Sequence, residues 1–258
     1  MYFGVAVNAA RGVATQVDAA LKQFVNNFTT AVNPQITKSY AQGDLSNMHK
    51  LVCRSAKFSA FLMMFFAVPI ILETDTILSL WLKKPPAYAS VFLKWIIISS
   101  FMDTVLANSL VTSMFATGDI KKYQIIVTTV GCLVFPLSWL AFQLGFEPQV
   151  GYMLYFVIYS ILLFVRLYLL RDMVKLPIMM YVREVLFKVT TVMAISFVIP
   201  SILLFVIDED LLRLVAVVLL SMTVTTVTTY LIGLNDGEKK YIIGLLEKNP
   251  VLKKLRQR

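Results

Sequence analysis

Arg11, Asp18 and Lys22 lie in one mildly polar stretch between Val5 and Val32, at separations that place all three on one side of a helix. Asn8, Thr15, Asn26, Thr29 and Asn33 join them at steps of three and four, while Val7, Ala10, Ala14, Val17, Leu21, Val25, Phe28 and Val32 form the other face. Two cations on such a stripe could receive an anionic group. The same residues also read as an internal Asp18–Lys22 pair with Arg11 reaching for a polar boundary. Asp103 is a second candidate, beside Ser100, Thr104, Asn108 and Thr112 at four-residue steps. A carboxylate there is either a proton or cation site, or a structural partner for Arg11 or Lys22. Asp208-Glu209-Asp210 is the one acidic cluster that could hold a metal. His49 is the single histidine, Cys53 and Cys132 stand far apart, and no nucleophile has a base beside it. No catalytic residues, no metal site and no cofactor are expected.

The elements that must position these groups belong in lipid. The 258 residues are 58% hydrophobic and 15% charged, with a mean hydropathy of +0.75. Soluble domains run about 45–50% apolar and about 25% charged. A membrane span takes about 20 mostly apolar residues. Apolar runs of that kind cover Phe58 to Leu72, Ser90 to Phe115, Tyr123 to Leu144, Gly151 to Leu170, Leu186 to Val206 and Leu211 to Leu231. The first is short, and Ile77 to Leu82 could extend it beyond Glu73; Pro69 predicts a kink. Pro34 predicts an end or kink for the opening helix. The expected fold is an all-α polytopic membrane helix bundle of about seven transmembrane helices.

The net charge of +9 is read by location. With the opening helix as a span, the odd connections carry Lys38, Lys50, Arg54 and Lys57, then Lys121 and Lys122, then Arg171, Lys175, Arg183 and Lys188. The even ones carry Lys83 and Lys84 with acids, Glu147 alone, and Asp208 to Asp210. Positive loops face the cytoplasm, so the C-terminus is expected there, with residues 1–234 as the bundle and 235–258 as a basic cytoplasmic tail. The tail could form a short amphipathic helix on anionic lipid, ending in the run Lys253 to Arg258. An opening helix lying in the interface is the alternative to a spanning one, and the charge alternation favours the span. Lys94 and Arg166, near span ends, are expected to snorkel. Residues 1–30 lack the order of a signal peptide. Helix begins almost at Met1 without a basic leader, which suggests a fragment or the back half of something longer. No Gly-rich loop, zinc spacing or aromatic-basic interleaving points to nucleic acid.

The run Val5-Ala-Val-Asn-Ala-Ala-Arg-Gly-Val-Ala, followed by Phe28-Thr-Thr-Ala-Val-Asn-Pro-Gln-Ile-Thr-Lys-Ser-Tyr-Ala, resembles lipopolysaccharide and capsule flippases of Bacteroides-type bacteria, within the multidrug/oligosaccharidyl-lipid/polysaccharide exporter superfamily. Leu72-Glu-Thr-Asp, Leu80-Trp-Leu-Lys and Ala116-Thr-Gly-Asp-Ile-Lys-Lys-Tyr-Gln are similar to the same group in the same order. The resemblance spans essentially the whole chain and matches it to the second of two lobes, so a first lobe would be missing. It implies a multi-pass protein of the bacterial inner membrane that moves an undecaprenyl-diphosphate-linked oligosaccharide between leaflets and does no covalent chemistry. By position it turns Arg11 and Lys22, with Asp18 between them, toward a central cavity, where Asn8 and Asn26 would meet sugar; an ion-coupling role for Asp103 follows by weaker analogy.

Three other readings stand beside it. A drug or cation antiporter would prefer an acidic cavity, against Arg11 and Lys22. A membrane enzyme acting on polyprenyl phosphate would need a metal at Asp208-Glu209-Asp210. A non-transporting remnant would be stable in lipid and idle.

Overall fold

A computed structural model of the chain describes residues 3–240, and helix is the only regular structure among them. Helix α1 covers Gly4–Ala41, α2 Leu45–Leu72 and α3 Thr74–Leu82. Then come α4 (Ala89–Thr117), α5 (Lys121–Gln143), α6 (Val150–Val174), α7 (Ile178–Val206) and α8 (Asp210–Gly233). Six of these, α2 and α4 to α8, are long and apolar enough to cross a membrane. Their outward faces carry side chains such as Phe135, 79% exposed, and Phe205, 88% exposed, which only hydrocarbon would welcome at that density. With α1 beside them, the chain is an all-α, multi-pass membrane bundle of about seven helices.

Each predicted apolar run lies on its own helix. Three boundaries differ. α2 begins at Leu45, not Phe58, because its polar first half has partners inside the protein: His49 Nε2 meets the Val174 carbonyl at 2.8 Å, and the buried Lys57 meets Glu238 at 2.6 Å. Ile77 to Leu82 does not extend α2; the chain breaks at Glu73 and these residues form the separate α3. Pro34 neither ends α1 nor leaves a gap, since it faces outward and the helix runs on to Ala41, turning at Gly43 with φ +74°.

α2 occupies the centre, with α1 and α4 on one side and α7 and α8 on the other. Its buried line includes Val52, Ala56, Ala60, Met64 and Ala67, and the small residues let neighbours approach closely. α6 covers the far side of α4 and carries α5, in which only Tyr123 and Val127 are buried. α4 holds a π-helical turn at Phe101–Val105. That turn loosens the backbone, and the Leu106 carbonyl beside it accepts a hydrogen bond from the fully buried Tyr181 hydroxyl at 2.6 Å.

The two ends of the bundle differ in charge. At one end Arg213, on α8, donates from Nε to the buried Glu73 at 2.8 Å, tying the second connection to the sixth. At the other, Glu238 joins Lys57, while Glu184 accepts from Lys188 at 2.9 Å and from Asn235 at 2.7 Å. The first and fifth connections therefore gather with the segment after α8, and the second and sixth gather opposite. The tail segment beyond Lys240, including Lys253 to Arg258, lies outside the described residues.

Candidate functional site

α1 has 38 residues, so it is about 57 Å long against a hydrocarbon core of about 30 Å. One side packs on α2 and α4 through a seam of Ala10, Ala14, Leu21, Val25 and Ile36. The predicted polar stripe is about 80° wide at 100° per residue and straddles the edge of that seam. Its inner edge, Asp18 and Thr29, is buried; Asn8, Arg11, Thr15 and Asn26 are exposed. The stripe is therefore not one open surface: its inner edge belongs to the packed face. Small residues at 10 and 14 bring α1 close enough to its neighbours to swallow the residue one turn further on.

The buried Asp18 is neutralised locally. Lys22 Nζ lies 2.8 Å from its Oδ2, while Oδ1 has no partner. Arg11 forms no ion pair among the described residues, which leaves it as the free cation of the predicted set. The open face is also more polar than the sequence stripe suggested. Gln16, Gln23, Asn27 and Thr30 are exposed on it, with Gln23 donating to Asn27 at 2.9 Å and Thr30 donating to the Asn26 carbonyl at 2.8 Å. These residues were legible in principle, because the stripe widens round the helix instead of ending at 80°.

Three cavities follow α1 along its length. The first, about 730 Å³, lies between the N-terminal turns of α1 and the facing sides of α5 and α6. Asn8 and Arg11 line it opposite Tyr152, Tyr155 and Tyr159, the last two stacked at 4.0 Å. The second, about 370 Å³, is lined by Asn33, Asp103, Thr104, Asn108, Thr112 and Arg166. Here Asn33 donates to Asn108 at 3.3 Å, across the α1–α4 contact. The third, about 770 Å³, lies at the basic end between α1 and α2, with Lys38 and Arg54 in its wall.

Asp103 has neither of the partners expected for it. Tyr155 donates to its Oδ2 at 2.8 Å, and Arg166 Nη1 stands 3.9 Å from Oδ1. Arg166 in turn does not snorkel: it is 7% exposed, because the carboxylate on α4 gives it a partner within the bundle. Lys94 does reach a boundary, 3.6 Å from the exposed Asp75. Asp210, of the acidic cluster, accepts from Arg213 at 2.7 Å. No group of three or more His, Cys, Asp or Glu side chains is placed to hold a metal among the described residues.

No protein-family model, curated protein or solved structure matches the chain. The chain's own surfaces are what bears on its function. Those surfaces are of two kinds: large apolar side chains on α5, α7 and α8, and on α1 amides, hydroxyls and a guanidinium beside the exposed Val5 and Phe24.

Proposed function

We propose that α1 forms one wall of a hydrated path through the bilayer, along which an undecaprenyl-diphosphate-linked oligosaccharide passes between leaflets of a bacterial inner membrane for surface polysaccharide synthesis. The carrying observation is the polar outward face of α1 in a protein whose other outward faces are apolar. A cation facing acyl chains costs up to about 2.5–3.5 kcal/mol at the bilayer centre on insertion scales and less toward either boundary, and each unpaired amide adds to that. A face holding Arg11, Gln16, Gln23 and Asn26 is therefore stable against water or a polar partner and unstable against acyl chains.

The chemistry of the wall suits the cargo. Amides and hydroxyls on α1 exchange hydrogen bonds with sugar, the unpaired Arg11 attracts phosphate, and Lys22, engaged by Asp18, contributes less. The isoprenoid tail stays in lipid, and a second helical lobe would close the path opposite α1. Transport of this kind makes and breaks no covalent bond, so its energy comes from an ion or potential gradient. For Asp103 to couple an ion, it would have to give up Arg166. A cation antiporter is the weaker reading, since an unpaired guanidinium repels its substrate.

The test replaces Cys53 and Cys132 by Ala and installs single cysteines at Thr15, Gln23, Asn26, Ala14 and Val25. A membrane-impermeant maleimide should label the first three positions and leave Ala14 and Val25 untouched. Arg11→Ala should abolish surface polysaccharide at unchanged protein level. Silence at Thr15, Gln23 and Asn26, or normal polysaccharide in Arg11→Ala, refutes the wall.

A further inference from the structure

Lys57 is 1% exposed, and its ammonium meets a carboxylate that arrives from beyond the last span. That carboxylate, Glu238, is 6% exposed, with Oε2 2.6 Å from Lys57 Nζ and Oε1 3.5 Å from Arg54 Nε. Oε2 also accepts from the Asn235 backbone N–H at 2.9 Å. An anion bridging two cations and a backbone donor occupies the position a phosphate oxygen would take in a phosphate site.

Glu238 lines the 770 Å³ cavity at the basic end, and Lys57 lies behind it, out of the lining. The lining carries side chains of two kinds, and the polar kind is the more numerous. Arg54, Lys38 and Ser55 belong to the polar kind; Ser55 is fully buried there, and its Oγ has no hydrogen-bond partner. Phe28, Leu51 and Phe58 belong to the apolar one. A free ion would meet only the polar groups, whereas an amphiphile with an anionic head also covers Phe28, Leu51 and Phe58.

We propose that this cavity is a binding site for the phosphate headgroup of a membrane lipid, and that the Glu238 carboxylate closes it from within the chain. Entry of the headgroup displaces Glu238 and replaces it on Lys57 and Arg54, so the buried ammonium exchanges one anion for another and is never left bare. The Ser55 hydroxyl gains an acceptor in the same step. The seat of Glu238 is coupled to α7, because the Asn235 side chain bonds Glu184 there. Displacement therefore also loosens the contact between α7 and the end of α8. That the headgroup is a diphosphate rests on the transport reading; that the site takes an anion does not.

The full chain in neutral phosphatidylcholine nanodiscs tests this with geranylgeranyl diphosphate and inorganic pyrophosphate as probes. Glu238→Gln should bind the lipid about ten-fold or more tightly than the unaltered chain, and adding Lys57→Gln should abolish that binding. Glu238→Asp, which keeps the charge and shortens the reach, should shift affinity the same way and covers a Glu238→Gln chain that fails to fold. The swap Lys57→Glu/Glu238→Lys restores an ion pair, so it should keep the melting temperature and lose the lipid; a merely structural pair predicts no change in binding. Pyrophosphate bound as tightly as the lipid would mean a site for free anions and overturns the headgroup assignment. Unchanged affinity in Glu238→Gln and Glu238→Asp overturns the site itself. Absent binding with α1 labelled and polysaccharide intact sinks this site alone, while binding without α1 labelling sinks the transport reading alone.

Discussion

The Arg166 guanidinium on α6 stands 3.9 Å from the Asp103 carboxylate on α4, at the one place where α4 departs from α-helical pairing in mid-span. The two charges answer each other across the helix contact, and Tyr155, about three turns before Arg166 on the same face of α6, holds the second carboxylate oxygen at 2.8 Å. Arg166 Nε is buried without a partner, so the guanidinium depends on Asp103 for what compensation it has.

Removing one charge should therefore hurt more than removing both. Breaking a fully buried pair costs about 3–5 kcal/mol, and the 28% exposure of the Asp103 side chain reduces this to about 1–3 kcal/mol. Asp103→Asn and Arg166→Gln should each lower the melting temperature in detergent, and the double variant should lower it by less than their sum. Strict additivity in that cycle would show that the two groups do not interact.

Gly233 closes α8 directly against Phe61. A β-carbon there would lie 2.5 Å from Cζ and 2.7 Å from Cε2 of the ring, which is itself 5% exposed and has little room to retreat. Gly233→Ala should cost about 1–3 kcal/mol through overpacking, and Phe61→Leu should recover most of it by shortening the ring side. Thermal unfolding of the three variants reads this out; an unshifted Gly233→Ala would mean that α8 and α2 part freely at this end.

The spans were legible because hydrophobicity over about 20 residues is a local property, written in each run without reference to its neighbours. The pairing of polar groups was not. Asp103 has Arg11, Lys22 and Arg166 as remote cations in the sequence, and only the packing of α6 on α4 selects Arg166, whose place near a span end otherwise reads as reaching for a boundary. Asp18 and Thr29 were placed with Arg11 because the helical period is right to about a turn, while the edge of a packed face depends on how close Ala10 and Ala14 let the next helix come. Lys38, Arg54 and Lys57 registered as topology charges alone. Nothing in their spacing shows that Glu238 returns to them after the last span.

Orientation is the expectation with the sharpest test, since the geometry allows only two answers. Glu73 is tied to Arg213 at 2.8 Å and Lys57 to Glu238 at 2.6 Å, at opposite ends, which puts the second and sixth connections on one side and the first connection, with the segment after α8, on the other; if each long helix crosses, the remaining connections alternate accordingly. The concentration of Lys and Arg in the odd set chooses between the two, because basic loops are retained in the cytoplasm. In a chain with Cys53 and Cys132 replaced, single cysteines at Lys84, Glu147 and Asp208 should react with an impermeant maleimide in intact cells. Cysteines at Asp119 and Arg171 should react only after the membrane is opened. The inverse pattern would leave the bundle standing and put the Glu238 cavity on the outer side, facing the outer leaflet. Labelling of Glu147 together with Asp119 in intact cells would contradict the bundle itself, since α5 joins those two connections and could not then cross.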